Sequence, residues 1–135
     1  MLKLMIGVKG TGKTKALIEK VNAASATSHG DVVCIEKGTK LRFDISSKVR
    51  LVDTEEYLVS DAQALYGLIA GILASNYDVT DIFVDNTLKI CNGNIPALEI
   101  MLNEVAALLD KHDVNLFMTA SIPVEEASET IQRYL

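Results

Sequence analysis

Apolar residues in this chain fall into short runs that alternate with longer periodic stretches. Leu2 to Ile6 is apolar except at Lys3 and stops at Gly7, the pattern of a buried strand feeding a loop. Ala16, Leu17, Val21 and Ala24 then recur at helical spacing as far as the terminator Ser28-His29-Gly30. A second β-rich run, Val32-Val33-Cys34-Ile35, precedes Leu41, Phe43 and Ile45 alternating with Arg42 and Asp44, and that period of two predicts a half-exposed hairpin strand. Val49 to Asp53 follows the polar turn Ser46-Ser47-Lys48 and is predicted to lie parallel to the run at 32–35. Ser60 and Gln63 form a capping box ahead of a long amphipathic helix through Ala64, Leu65, Leu68, Ile69, Ile72 and Leu73. Ile82-Phe83-Val84-Asp85 is a compact strand ending in a carboxylate. Pro96 opens a helix carrying Leu98, Met101, Leu102, Val105, Leu108 and Leu109 as far as Lys111-His112. Val114 to Met118 is the last strand, and Pro123 is expected to start a closing helix through Ile131 and Leu135.

Strands alternating with helices of these lengths predict an α/β fold, a three-layer sandwich around a mostly parallel sheet with ligands at the carboxyl ends of the strands. The meander over 32–53 reads as a β-hairpin insertion. At 135 residues the expectation is one domain. Composition narrows the picture: 49% hydrophobic residues with no Trp call for an aliphatic core, and a net charge of −5 argues against a broad nucleic-acid surface. The longest apolar stretch, Leu65 to Ala74, is far too short to span a bilayer, and the first apolar run leads straight into a glycine loop rather than a cleavage site. A cytoplasmic protein is therefore predicted, with Cys34 and Cys91 as reduced thiols lacking metal-site spacing.

The strongest chemical signal is Gly7-Val8-Lys9-Gly10-Thr11-Gly12-Lys13-Thr14, a G-x-x-x-x-G-K-T pattern placed between a predicted strand and a predicted helix. Its glycines let the backbone approach phosphates without a Cβ in the way, and its N–H groups point inward. The helix start that continues into Lys15 adds a positive dipole end; Lys13 can reach the β- and γ-phosphates, and the Thr14 hydroxyl can ligate Mg²⁺. Lys9 reads as an ordinary exposed loop lysine.

A second carboxylate is needed to hold the magnesium ion, and Asp85 fits that role, the alternative being an N-cap for a short helix at Thr87. The residue after it is Asn86, which can orient water but cannot take a proton, so fast hydrolysis is not expected. Glu36, after the strand at 32–35, is a candidate base, and Asp53, Glu55 and Glu56 share the alternative. Thr119 is a candidate γ-phosphate sensor at the end of the last strand. Thr119-Ala120-Ser121-Ile122 lacks the N-K-x-D pattern that reads guanine, so ATP is preferred over GTP.

Gly7 to Thr14 together with Ile82 to Asp85 resembles the Walker A and Walker B pair of the P-loop NTPases. The whole sequence is also similar to small Firmicutes proteins often labelled ATP-binding or twitching-motility-type ATPase; the resemblance to the twitching-motility motors themselves lies in the glycine loop. The family resemblance implies a Mg-dependent ATP-binding protein with ATPase activity, which Asn86 is expected to make slow. The alternative reading is a non-hydrolysing nucleotide-dependent switch. A small-molecule kinase is disfavoured, because Arg42, Arg50 and Arg133 are the only arginines and no arginine-rich lid is present. Relatives with a strand between the two motif strands usually order the sheet 5-1-4-3-2, and the fifth of these strands has no clear counterpart here. The glycine-loop strand is then expected at a sheet edge, where a second copy or another protein partner would cover it.

Overall fold

The runs Val32 to Ile35 and Ile82 to Val84 are apolar at every position, so both faces of the strands they form must be covered. The computed structural model, which describes residues 1–135, divides them residue by residue. Five strands, β1 (Leu2–Ile6), β2 (Asp31–Glu36), β3 (Arg50–Asp53), β4 (Val79–Val84) and β5 (Asn115–Ala120), form one sheet in the order β1-β5-β4-β2-β3. Every pairing is parallel. Val33, Ile35, Ile82, Val84, Leu116 and Met118 join a 25-residue cluster under α2 (Ala62–Ser75) and α4 (Ile95–Leu109). Val32, Cys34 and Phe83 point the other way into an 8-residue cluster with Leu17 and Val21 of α1 (Lys13–Thr27). In α2 the buried stripe is Leu65, Ile69 and Leu73, four residues apart and at most 3% exposed; burying each is worth about 2 kcal/mol.

The glycine-loop strand β1 is an edge strand, as expected, and the chain's own C-terminal residues cover part of that edge. The Leu4 N–H donates to the Tyr134 carbonyl at 2.7 Å, and Lys3 Nζ to the Leu135 carbonyl at 2.9 Å.

Four local expectations are corrected. Leu41 to Ile45 is not a hairpin strand: Lys40–Phe43 is a 3-10 turn, and β3 returns parallel to β2. Leu41 and Ile45 lie four residues apart and both pack against α1, while Phe43 is 84% exposed. The Glu36 carboxylate fixes this turn by accepting from the Lys40 and Leu41 N–H groups. The N-cap of α2 is Asp61 rather than Ser60, with its carboxylate accepting from Ala64 N at 2.7 Å. Helix α4 stops at Leu109, and Lys111 and His112 follow in tighter turns that bond back three residues. The closing helix is broken into a 3-10 turn, Val124–Glu126, and α5 (Glu129–Gln132), because Ala127 is extended and Ser128 starts a new turn by capping Ile131 N.

Candidate functional site

The glycine loop joins β1 to α1, and its shape follows from backbone conformations that most residues avoid. Gly10 and Gly12 have φ of 87° and 85°, a left-handed region that costs an L-residue about 1–2 kcal/mol. A Cβ at either would meet nothing within 4 Å, so the restriction there is conformational. At Gly7 it is steric as well: a Cβ would lie 2.8 Å from Thr11 Oγ1. Thr11 Oγ1 donates to the Val8 carbonyl at 2.7 Å, and Lys13 Nζ donates to the same carbonyl at 2.8 Å and to Thr11 Oγ1 at 3.3 Å. Lys13 is thereby folded over the loop and only 8% exposed.

Helix α1 begins at Lys13 with no side-chain cap and no acidic residue in its first turn. Its first N–H groups are left for an acceptor from outside the helix, and the positive end of its dipole is not neutralised. That is the arrangement that binds phosphate or another anion at a helix start.

Across from it stands Asp85, directly after β4, with its backbone N–H on the Ile35 carbonyl at 2.9 Å. Thr14 Oγ1 lies 3.2 Å and 3.4 Å from the two Asp85 carboxylate oxygens, and Thr119 Oγ1 donates to Asp85 Oδ1 at 3.0 Å. Thr119, 1% exposed, also accepts from the Asn86 N–H at 2.8 Å. Asn86 itself is held at φ 54°, ψ 57°, a left-handed conformation that Asn tolerates far better than most residues. One chain of hydrogen bonds thus links the start of α1, the end of β4, the end of β5 and the turn into α3 (Thr87–Ile90).

Thr14, Asp85 and Asn86 line a cleft of about 550 Å³. Of the four acids considered as a base, Glu36 alone lines it. Asp53 instead accepts from Gly38 N and Glu55 N at 2.8 and 2.9 Å, tying the loop ends together. Glu56 lies with Asp53 in a smaller neighbouring pocket, and Glu55 lines a third. Burial raises the Glu36 carboxyl above the usual glutamate range; the Lys40 and Leu41 N–H groups pull it down, while the Asp85 and Asp53 charges push it further up. Burial also drives the neighbouring Cys34 thiol up to about 12, helped by the Glu36 and Asp85 charges, which removes it as a nucleophile at neutral pH.

No group of three or more His, Cys, Asp or Glu side chains could hold a metal by itself. The Thr14 hydroxyl and Asp85 carboxylate are nevertheless hard oxygen donors side by side. They fit Mg²⁺, which takes most of its ligands from phosphates and water and needs only one or two from protein.

Sequence reasoning missed the other wall of this cleft. Lys37 and Lys40 come from the segment after β2 and Lys89 from α3, and Lys9 faces them from the glycine loop. The spacing of Lys37 and Lys40 just after Glu36 was a usable signal; the approach of Lys89 was not, because it depends on the order of strands in the sheet.

No protein-family model matches the sequence, and no curated protein is significantly similar to it. The structure is similar to that of the flagellar accessory protein FlaH from Methanocaldococcus jannaschii, with a TM-score of 0.63 over 98% of this chain. The shared fold is an α/β sandwich on a five-stranded all-parallel sheet, consistent with a P-loop-like NTPase fold. Sequence identity to FlaH is 14%, and the chain spans 65% of the length of FlaH. The comparisons lend the twitching-motility label no support.

Proposed function

We propose that the chain binds ATP with Mg²⁺ and hydrolyses it slowly. The observation that carries this reading is the 3.2 Å approach of the Thr14 hydroxyl, at an uncapped helix start, to the Asp85 carboxylate at the end of β4. In this reading the loop and first-turn N–H groups take the phosphates, and Lys13 exchanges the Val8 carbonyl for a phosphate oxygen. Thr14 and Asp85 would hold a magnesium ion, which would supply neutralisation of phosphate charge. Water attacks the γ-phosphorus in line, the bond from that phosphorus to the bridging oxygen breaks and ADP leaves with the electron pair. Glu36 takes the proton released by the water, a role suited to a carboxyl that burial raises above the usual glutamate range. Asn86 orients that water.

One observation favours a second reading, a nucleotide-dependent switch without turnover. The position after Asp85 is left-handed and occupied by Asn, so no carboxylate stands beside Asp85 on its own strand. Radiolabelled ATP separates the two. Turnover in the wild type that is lost in Lys13→Ala and Asp85→Ala supports the hydrolase. Tight binding without turnover supports the switch, and no binding at all overturns both. The β1 edge, covered by backbone only where Leu4 meets Tyr134, supports an interface there with a second copy or another protein. Sedimentation with and without nucleotide tests that part.

A further inference from the structure

Four of the thirteen basic residues, Lys9, Lys37, Lys40 and Lys89, line one cleft in a chain of net charge −5. Like charges gathered in a concavity repel one another and focus a positive potential there. The two acids in the same lining offset part of it, but neither is bound to a lysine side chain. Glu36 accepts from the N–H groups of Lys40 and Leu41, and Asp85 from the hydroxyls of Thr14 and Thr119. None of their hydrogen-bond partners is a lysine side chain.

The nucleotide reading leaves these charges largely unused. The loop N–H groups, Lys13, Thr14 and the start of α1 approach Asp85 from the β1 side. Lys37 and Lys40 follow β2, three places away from β1 in the sheet, which is about 14 Å at the usual strand spacing. Lys89 lies in α3, directly after β4. Lys37 and Lys89 also form a wall of a second pocket of about 280 Å³ that includes Ser60, Asn92 and one carboxylate, Glu55, so the space continues past them with further polar groups.

We propose that Lys37, Lys40 and Lys89 form a separate subsite for a small phosphate-class dianion, on the side of Asp85 away from the glycine loop. The inference takes its position beside a terminal phosphate from the proposed nucleotide site; the lysines themselves do not depend on it. The chemistry of the lining selects the ligand class. Lysines are compact point charges suited to phosphate, and the cleft has no arginine to grip a planar carboxylate in two places. It has no aromatic ring either, so it lacks the stacking surface of a single-strand nucleic-acid site.

The test is calorimetric titration of the full chain with inorganic pyrophosphate at low salt, with and without a saturating non-hydrolysable ATP analogue and Mg²⁺. Pyrophosphate is expected to bind with the analogue present. The double variant Lys37→Gln/Lys89→Gln should weaken this binding roughly tenfold or more, as loss of charge-assisted contacts predicts, while Lys13→Ala leaves it in place. Both lysines are exposed, so unchanged thermal melting of the double variant will show that the fold is intact. Pyrophosphate that is excluded by the analogue, that is lost with Lys13, or that binds the double variant as well as the wild type would overturn the subsite. Failure of the nucleotide reading would be visible separately, as no binding of the analogue to the wild type. The subsite is then decided by whether pyrophosphate binding alone falls in the double variant.

Discussion

The two flanks of Asp85 are built on different principles. On the β1 side the surface offered to a ligand is backbone: left-handed Gly10 and Gly12, uncapped N–H groups at the start of α1, and one lysine folded inward onto the Val8 carbonyl. On the β2 side it is side chains, three exposed lysines from the loop after β2, the 3-10 turn and a short helix, with Glu36 beside them in the lining. The first flank resists change because its geometry is conformational, and the second can alter its charge at small cost to the fold. Substitutions should therefore act on binding and stability differently on each side.

The largest expected contrast is in nucleotide affinity. Lys13→Ala should weaken binding of a fluorescent ATP analogue about a hundredfold, since one ammonium making charge-assisted bonds to phosphate is worth roughly 3 kcal/mol. Lys37→Gln/Lys89→Gln should weaken it less than about threefold. Comparable losses on both sides would mean that the two flanks serve one ligand.

Next in size is the hinge between the flanks. Thr119 Oγ1 is the partner of both Asp85 and the Asn86 N–H. Thr119→Val keeps the shape and removes the hydroxyl, leaving a part-buried N–H without its acceptor, so urea denaturation should show a loss of about 1–3 kcal/mol. A variant as stable as the wild type would show that the turn at Asn86 does not depend on this bond.

How far each flank could be read in advance follows from the same difference. A loop that demands glycine at set positions next to Lys and Thr leaves a linear pattern, and Asp85 is marked by the apolar run before it. The β2 flank leaves little, because Lys89 meets Lys37 and Lys40 only after β3, α2 and β4 have folded back. The hairpin error has a related cause. Positions 41, 43 and 45 satisfy a period of two, while 41 and 45 alone also satisfy a spacing of four. The choice is made by the Glu36 carboxylate binding the amides four and five residues ahead, a tertiary detail invisible to periodicity. The left-handed turn at position 86 left only a weak linear signal, the Asn itself, a residue that tolerates that conformation.

A smaller effect on the first flank isolates conformation from contact. Gly12→Ala places a Cβ with nothing within 4 Å, at φ 85°, so the loss of stability should be about 1 kcal/mol and purely backbone in origin. Lys37→Gln, an exposed change, should stay within about 0.5 kcal/mol. Equal values in chemical denaturation would remove the distinction between a conformational flank and a side-chain flank.

The subtlest prediction concerns Glu36 and pH. Its carboxyl is raised in the folded chain, chiefly by burial, so the folded state holds this proton more tightly than the unfolded state does. The stability supplied by the protonated form is full below the ordinary glutamate value of about 4.3 and is lost as pH rises through the raised value. Glu36→Gln cannot titrate, so comparing the two proteins by urea denaturation across this range cancels the groups that do not interact with Glu36. Wild type should lose stability relative to the variant as pH rises, then run parallel to it. If Glu36 is also the base, turnover must rise through that same interval, because only the ionised carboxylate accepts a proton from water. Activity rising where stability falls would tie the buried charge to function; a flat stability difference would mean that its cost on the β2 flank is already met by the amides of Lys40 and Leu41.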